Sequence, residues 1–233
     1  MNALLLAAGR GTRLRPLTER IPKCLVPIRG KPLLEYWLDT LLSNGIREVL
    51  INTHHLAGMV EAFHATSPWR ERVTLVYEPE LLGTGGTIVA NRKFFSREAF
   101  LVAHADNLSR FSVRAFQDTH ARRPRRAVMT MMTFDTDTPS ACGIVETDAE
   151  GLVVRFYEKV MNPPGRRANA AVYIMEPEVV EFIGLLGKRV VDLSTEVIPH
   201  FLGRIATFHN TEYHRDIGTP ESLRRAEAEY PQI

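Results

Sequence analysis

Cysteine is scarce in this chain. Cys24 and Cys142 stand far apart, with neither the clustered spacing of a zinc site nor enough partners for a disulfide scaffold, which points to a reducing cytoplasm. Long hydrophobic runs are missing too. The apolar run at the N-terminus, Ala3 to Ala8, falls far short of the ~20 residues that a membrane span needs. It has no basic lead and meets Gly9-Arg10-Gly11 at once, so it does not read as a signal peptide. Neither sign of charge is in excess: 29 Lys and Arg face 27 Asp and Glu, so no global field draws in nucleic acid or an anionic membrane. With 45% hydrophobic residues in 233, the chain is too apolar to be disordered. Lysine is the last scarcity. Only Lys23, Lys31, Lys93, Lys159 and Lys188 occur among many arginines, and an ammonium is not interchangeable with a guanidinium.

What is present is an alternation of short apolar runs and helical patterns. Ala3 to Ala7 reads as a buried strand, followed by a Gly-, Arg- and Pro-rich loop to Lys31. Leu33, Trp37 and Leu41, with Leu34, Leu38 and Leu42, recur at helical spacing up to Gly45. Strands are expected at Val49 to Ile51, Val73 to Tyr77 and Phe100 to Ala103, with a helix at Gly58 to His64 and a Gly83 to Gly86 turn opening another through Asn91. This order implies α/β architecture: a Rossmann-like mixed, mostly parallel sheet flanked by helices. After about residue 127 the texture becomes strand-rich. Strands are expected at Ala127 to Phe134 and Ala170 to Ile174, and a hairpin across Asp148 to Gly151; helices return at Glu176 to Leu186 and Ser194 to Leu202. A strand at Ile205 to Phe208 precedes Asp216, and Thr219 with Pro220 can open a last helix. The expected organisation is one domain, 1–233, in two halves of roughly 1–126 and 127–233, the second carrying a strand-rich insert.

Three constellations carry chemistry. In the first, the strand runs into Gly9-Arg10-Gly11-Thr12-Arg13, and Arg10, Arg13, Arg15, Arg20 and Lys23 face one acid, Glu19. Glycine lets backbone N–H groups approach an anion, and the local basic excess suits a polyphosphate. The dinucleotide fingerprint wants a third glycine where Leu14 stands, and the P-loop Gly-Lys-Ser/Thr is absent. The second is the pair Asp106 and Asp216, each just beyond an apolar run, where strand ends bind ligands. Two converging carboxylates could hold Mg²⁺, although an aspartate after a strand is more often a turn or cap. The third is Glu158-Lys159 with Asn169, where an ammonium could neutralise a further phosphate and the polar groups could bond hydroxyls; exposed Glu-Lys pairs are commonly decorative.

The opening Leu6-Ala7-Ala8-Gly9-x-Gly11-Thr12-Arg13-Leu14-x-Pro16-Leu17-Thr18, then Pro22-Lys23, resembles the sugar-1-phosphate nucleotidyltransferases, the nucleotide-sugar pyrophosphorylases. Leu82-Gly83-Thr84-Gly85-Gly86, Asp106, Gly143, Glu158-Lys159, Asn169 to Tyr173 and Asp216 to Thr219 follow in that family's order. The resemblance implies transfer of a nucleoside monophosphate from a nucleoside triphosphate to a sugar 1-phosphate, with release of pyrophosphate. It implies catalytic roles for Arg13 and Lys23, and nucleotide binding by Leu6, Ala8, Gly9, Gly11, Thr12, Gly83, Gly85 and Gly86. Asp106, Gly143, Glu158, Lys159 and Asn169 would bind the sugar phosphate, and Asp106 with Asp216 would hold Mg²⁺. His104-Ala105 departs from relatives that place glycine immediately before the aspartate, so His104 could enter the site. Ending at Ile233, the chain is expected to be a short form without the left-handed β-helix of longer relatives.

Leu-Gly-Thr-Gly-Gly resembles mannose- and heptose-phosphate guanylyltransferases, which favours GTP. Alternatives are a UTP or dTTP enzyme for a hexose or N-acetylmuramate 1-phosphate and a phosphocholine-type cytidylyltransferase. Two others are a metal-dependent hydrolase built on His104, Asp106, His214 and Asp216, and a silent nucleotide-sugar sensor. No nucleic-acid or membrane partner is expected, and a homo-oligomer is left open. His54-His55 read as loop histidines, Arg122 to Arg126 as a solvated loop, and Met129, Met131 and Met132 as strand packing.

Overall fold

The computed structural model describes residues 1–95 and 97–230; Ile233 lies outside them. In chain order, strand β1 (Ala3–Leu6) is followed by a small ribbon, β2 (Pro27–Ile28) and β3 (Lys31–Pro32), and helix α1 (Leu33–Leu42). Next come β4 (Val49–Thr53), α2 (Ala57–Thr66), β5 (Val73–Tyr77), α3 (Gly83–Ala90), β6 (Phe100–His104), β7 (Asn107–Arg110) and α4 (Val113–Ala121). The later elements are β8 (Met129–Asp135), β9 (Gly143–Thr147), β10 (Val153–Glu158), β11 (Arg167–Met175), α5 (Pro177–Leu185), β12 (Ile205–His209), β13 (Tyr213–Asp216) and α6 (Pro220–Glu229). The α/β class, with a mixed sheet flanked by helices, is as the sequence implies. No helix among the described residues is long and apolar enough to cross a membrane.

The chain forms two compact units that interleave along the sequence. Unit 1 holds residues 1–81, 103–111 and 212–233, and unit 2 holds 82–102 and 112–211. Strands β7 and β13, far apart in sequence, pair with each other, which brings the segment after residue 211 back to unit 1.

In unit 1, β1 pairs parallel with β4, and β4 with β5, in a register that aligns Leu6 with Asn52 and Asn52 with Val76. The carboxyl ends of these strands therefore share one edge, where parallel sheets place ligands. Ala3, Leu4 and Leu5 and all of β4 are buried, which explains the unbroken apolar runs. Helix α1 buries Leu33, Leu34, Trp37, Leu38, Leu41 and Leu42 on one stripe and ends at Leu42, capped by Ser43, before a turn in which Gly45 takes φ 89°.

Unit 2 is built around β8, antiparallel to β11 and parallel to β12. Strand β9 joins β11 antiparallel at Ile144, and β10 completes the expected hairpin. Met129, Met131 and Met132 are fully buried in β8, as packing residues. The basic run after α4 is tied down: the Arg123 guanidinium bonds Glu176, and Arg126 pairs with Glu150 at 3.1 Å. Buried His120 donates or accepts at Thr130 Oγ1 (2.8 Å) and Glu176 Oε1 (3.1 Å); burial, then the Arg123 charge, lowers its pKa to about 4, so it is neutral at pH 7.

Candidate active site

The basic loop after β1 is folded onto itself. Gly11 sits at φ 60°, and its carbonyl accepts the Thr18 hydroxyl at 2.8 Å. The Thr18 carbonyl accepts His55 Nε2–H at 2.6 Å, while His54 Nδ1–H donates to the Glu78 carbonyl at 2.8 Å. Both histidines of the pair thus anchor loops, as read from the sequence. Asn52 Oδ1 accepts the Ala7 N–H at 2.8 Å, and its amide donates to buried Glu78, fixing the end of β1.

This fold brings Lys23, Asp106, Asp216 and Arg13 together inside unit 1. Lys23 is buried, and its Nζ lies 2.9 Å from Asp106 Oδ2 and 2.7 Å from Asp216 Oδ1. Arg13 Nη2 is 3.3 Å from Asp216 Oδ2 and is otherwise largely exposed. Burial pulls the Lys23 pKa down, but Asp106 and then Asp216 outweigh it, so the ammonium is held above its ordinary value. Burial pushes the Asp106 carboxyl up, but the Lys23 charge, with help from His104, holds it below the usual range. The two aspartates that the sequence marked do converge, and they converge on a cation.

The sequence did not single out Gly218 as a site residue. A Cβ there would meet Arg13 Nη2 at 2.8 Å and the Asp216 carboxylate at 2.9 Å, so glycine makes room for that ion pair. Nor did it identify Ser109, whose Oγ lies 2.6 Å from His214 Nδ1. His214 is half-buried, and desolvation lowers its pKa to about 4, with Asp216 and Asp106 opposing.

The glycine turn has a second explanation within unit 2. Gly83 to Gly86 form the first turn of α3, and the segment Arg189 to Val191 lies directly on them. The Val191 carbonyl accepts Gly85 N–H at 2.8 Å and Gly86 N–H at 3.4 Å, and Val191 N–H donates to Leu82 O. Added Cβ atoms would meet Val191 O at 2.5 Å from Gly83 and Arg189 O at 2.5 Å from Gly86. The motif therefore makes backbone room for this segment, and Thr84 Oγ1 accepts Leu193 N–H at 2.7 Å in the same contact.

The third set also assembles in unit 2. Gly143 faces Glu158 across the β9–β10 hairpin and leaves room for the Phe156 ring and Glu158 carboxylate. Lys159 is exposed and lies 3.1 Å from Glu158 Oε1; its backbone has φ 51°, uncommon for a residue with a Cβ. In β11 the register slips between Asn169 and Tyr173, and Ala171 also takes positive φ, at 54°. Asn169 holds this bulge: its Oδ1 accepts Ala171 N–H at 2.9 Å, and its Nδ2 donates to Tyr173 Oη at 2.6 Å. Bulges and strained residues of this kind cluster at functional sites. Tyr173, which the sequence placed only in a motif, is fully buried; burial, then the Glu158 and Asp192 charges, raises its pKa.

A family model, Nucleotidyl transferase, matches residues 2–233. The chain belongs to the nucleotidyl transferase family. Among curated members, this nucleotidyl transferase is 34% identical to a mannose-1-phosphate guanylyltransferase of Mycobacterium tuberculosis, over 98% of this chain and 64% of that protein. It is 31% identical to a UTP–glucose-1-phosphate uridylyltransferase of Synechocystis, over 78% of this chain and 51% of that protein. The chain thus spans about half to just under two thirds of the length of these relatives. A candidate glucose-1-phosphate thymidylyltransferase of Bacillus anthracis, solved with sucrose, superposes with a TM-score of 0.88 at 20% identity, over 100% of this chain and 96% of that one. HddC of Yersinia pseudotuberculosis, solved with GMP-PN, gives 0.82 at 24% identity, over 99% of both chains. These structural likenesses establish the shared fold.

Proposed function

We propose that this nucleotidyl transferase joins a nucleoside triphosphate to a sugar 1-phosphate, yielding a nucleotide-sugar and pyrophosphate. The observation that carries the reading is the convergence of Lys23, Asp106, Asp216 and Arg13 beside a basic loop at the end of β1. The resemblance to a mannose-1-phosphate guanylyltransferase over nearly the whole chain favours GTP with a mannose- or heptose-type 1-phosphate. The uridylyltransferase relative supports the second reading, UTP with a hexose 1-phosphate.

The sugar phosphate oxygen attacks the α-phosphorus while the bond to pyrophosphate breaks in line, and no covalent enzyme intermediate is needed. Both reactants are anions, so catalysis is mostly positioning and charge neutralisation. Leu6, Ala8, Gly9, Gly11 and Thr12 cradle the nucleotide, and Arg13 offers its exposed guanidinium to phosphate oxygens. Lys23 stays protonated through the physiological range and supplies charge for the α-phosphate. In unit 2, Lys159 takes the sugar phosphate, while Glu158 and Asn169 bond sugar hydroxyls beside Gly143. Gly83, Gly85 and Gly86 serve the nucleotide by seating the 189–193 segment.

Mg²⁺ fits the donor set. Asp106 and Asp216 are hard oxygen donors already directed at one positive centre, and Mg²⁺ takes one or two carboxylates with phosphate and water for the rest. When bound there, it neutralises phosphate charge. The hydrolase alternative leaves the basic loop from Arg10 to Lys23 without a role. The few, unclustered cysteines support a cytoplasmic setting for the reaction.

A pyrophosphate-release screen of four triphosphates against a panel of sugar 1-phosphates tests this reading. The expected pair is GTP with a mannose- or heptose-type phosphate. Turnover with UTP and a hexose 1-phosphate would establish the second reading, and turnover with phosphocholine alone would overturn both.

A further inference from the structure

Asp106 and Asp216 reach each other through one small element. Strands β7 and β13 form a two-stranded antiparallel ribbon in which Asp216 faces Asn107, and His214 faces Ser109. Such a ribbon is marginal by itself, so its register depends on what crosses it. A slip of two residues would carry Asp216 about 7 Å along its neighbour.

Directly opposed side chains share a face, and alternate residues of a strand return to it. His214 and Asp216 therefore share a face, with the Ser109–His214 pair two rungs behind the carboxylate. Ser109 is buried, and its Oγ is 2.6 Å from His214 Nδ1. At the far end, Arg110 and Glu212 lie 3.3 Å apart with nearly half of each side chain exposed, a pair of little strength. Trp37 Nε1–H donates to the Asn107 carbonyl at 2.7 Å, which anchors β7 to α1 but leaves the partner strand free of that bond.

We propose that Ser109 and His214 are positioning residues: their cross-strand hydrogen bond sets the spacing of the Asp106 and Asp216 carboxylates, and with it their affinity for a divalent cation. The cation part rests on the metal-holding role proposed above; the spacing part does not. A hydrogen bond between a hydroxyl and a ring nitrogen is directional, so it resists both slip and splay of the ribbon.

The test uses the full chain with Ser109→Ala, Ser109→Thr and His214→Phe. Amide hydrogen exchange in β7 and β13 reads the ribbon, the ¹⁵N signal of Lys23 Nζ reads the carboxylate pair, and Mn²⁺ titration followed by electron paramagnetic resonance reads cation affinity. Loss of one hydrogen bond should speed ribbon exchange and weaken Mn²⁺ about 3- to 10-fold in Ser109→Ala and His214→Phe. The Lys23 signal should shift in both. Ser109→Thr keeps the hydroxyl and should restore all three, which a general loss of stability would not do. Unchanged exchange and an unchanged Lys23 signal in Ser109→Ala would overturn the proposal. Faster exchange with normal Mn²⁺ affinity would reduce the pair to a structural tie and overturn its positioning role. If the unsubstituted chain binds no Mn²⁺, the metal reading fails, while exchange and the Lys23 signal still decide the spacing claim.

Discussion

Replacing Lys23 with methionine keeps the buried stem and deletes the ammonium between Asp106 and Asp216. Breaking a fully buried ion pair costs about 3–5 kcal/mol, because a charge is left uncompensated. Here the two aspartate side chains are 38% and 48% exposed, so water screens the residual repulsion. The cost is then ~1–3 kcal/mol, or roughly 2–12 °C in Tm for a chain of this size. The dependence on pH separates this cause from a packing defect. Asp106 is held below its ordinary value, so its stabilisation is complete above about pH 4 and is lost as pH falls through the folded value. Lys23 is held above its ordinary value, so its share is complete below about pH 10.4 and fades only as pH rises through the folded value. The wild-type benefit is therefore flat from pH 4.5 to 7.5. In Lys23→Met the carboxylates have lost their cation, and one of them takes up a proton as the solution is acidified. The Tm deficit should consequently shrink between pH 7.5 and pH 4.5 in calorimetric scans. Turnover should fall ~10²–10³-fold, the loss expected for one preorganised charge contact. A deficit of equal size at both pH values, or near-normal turnover, would refute the reasoning.

Asp106→Asn and Asp216→Asn should each abolish metal-dependent pyrophosphate release and also lower Tm, because buried Lys23 then keeps only one counter-charge; if only one abolishes release, the two carboxylates do not share a cation. Lys159→Ala should raise the KM for sugar 1-phosphate strongly and leave triphosphate binding, measured by calorimetry, nearly unchanged, with only partial rescue by Lys159→Arg because a planar fork aims its donors differently. Gly86→Ala should cost about 1–3 kcal/mol of stability, since its Cβ would stand 2.5 Å from the Arg189 carbonyl. An unchanged Tm in that variant would remove the packing role of the glycine turn.

Most elements were legible because burial on both faces leaves an unbroken apolar run, as in β1, β4 and β6. The last helix was legible from its cap: Thr219 Oγ1 accepts Ser222 N–H at 3.1 Å, with Pro220 at the first position. The ribbon of β7 and β13 was not, because Asn107-Leu108-Ser109-Arg110 and Tyr213-His214-Arg215-Asp216 carry polar residues at buried rungs and little apolar alternation. The stretch Ser194 to Leu202 reads as one helix but forms a π-turn and then a 3₁₀ turn, the latter holding Pro199. Among site residues, those with charge at a strand end were visible in the sequence. Gly218, Ser109 and Tyr173 act through space that only tertiary packing defines.

The interleaving of the two units sets an order of assembly. Strand β13 and Asp216 are encoded after all of unit 2, so during synthesis Lys23 and Asp106 emerge long before the second carboxylate. Until it arrives, β7 has no strand partner in its ribbon, and the lysine carries only half of its counter-charge. Unit 1 is thus a folding unit that cannot close before its neighbour has been made, unlike domains that fold in turn from the N-terminus. Contiguous segments of the chain correspond to neither unit, so a clip between residues 111 and 212 would leave the pieces held by contacts rather than by chain, with the charge cluster as one of the seams.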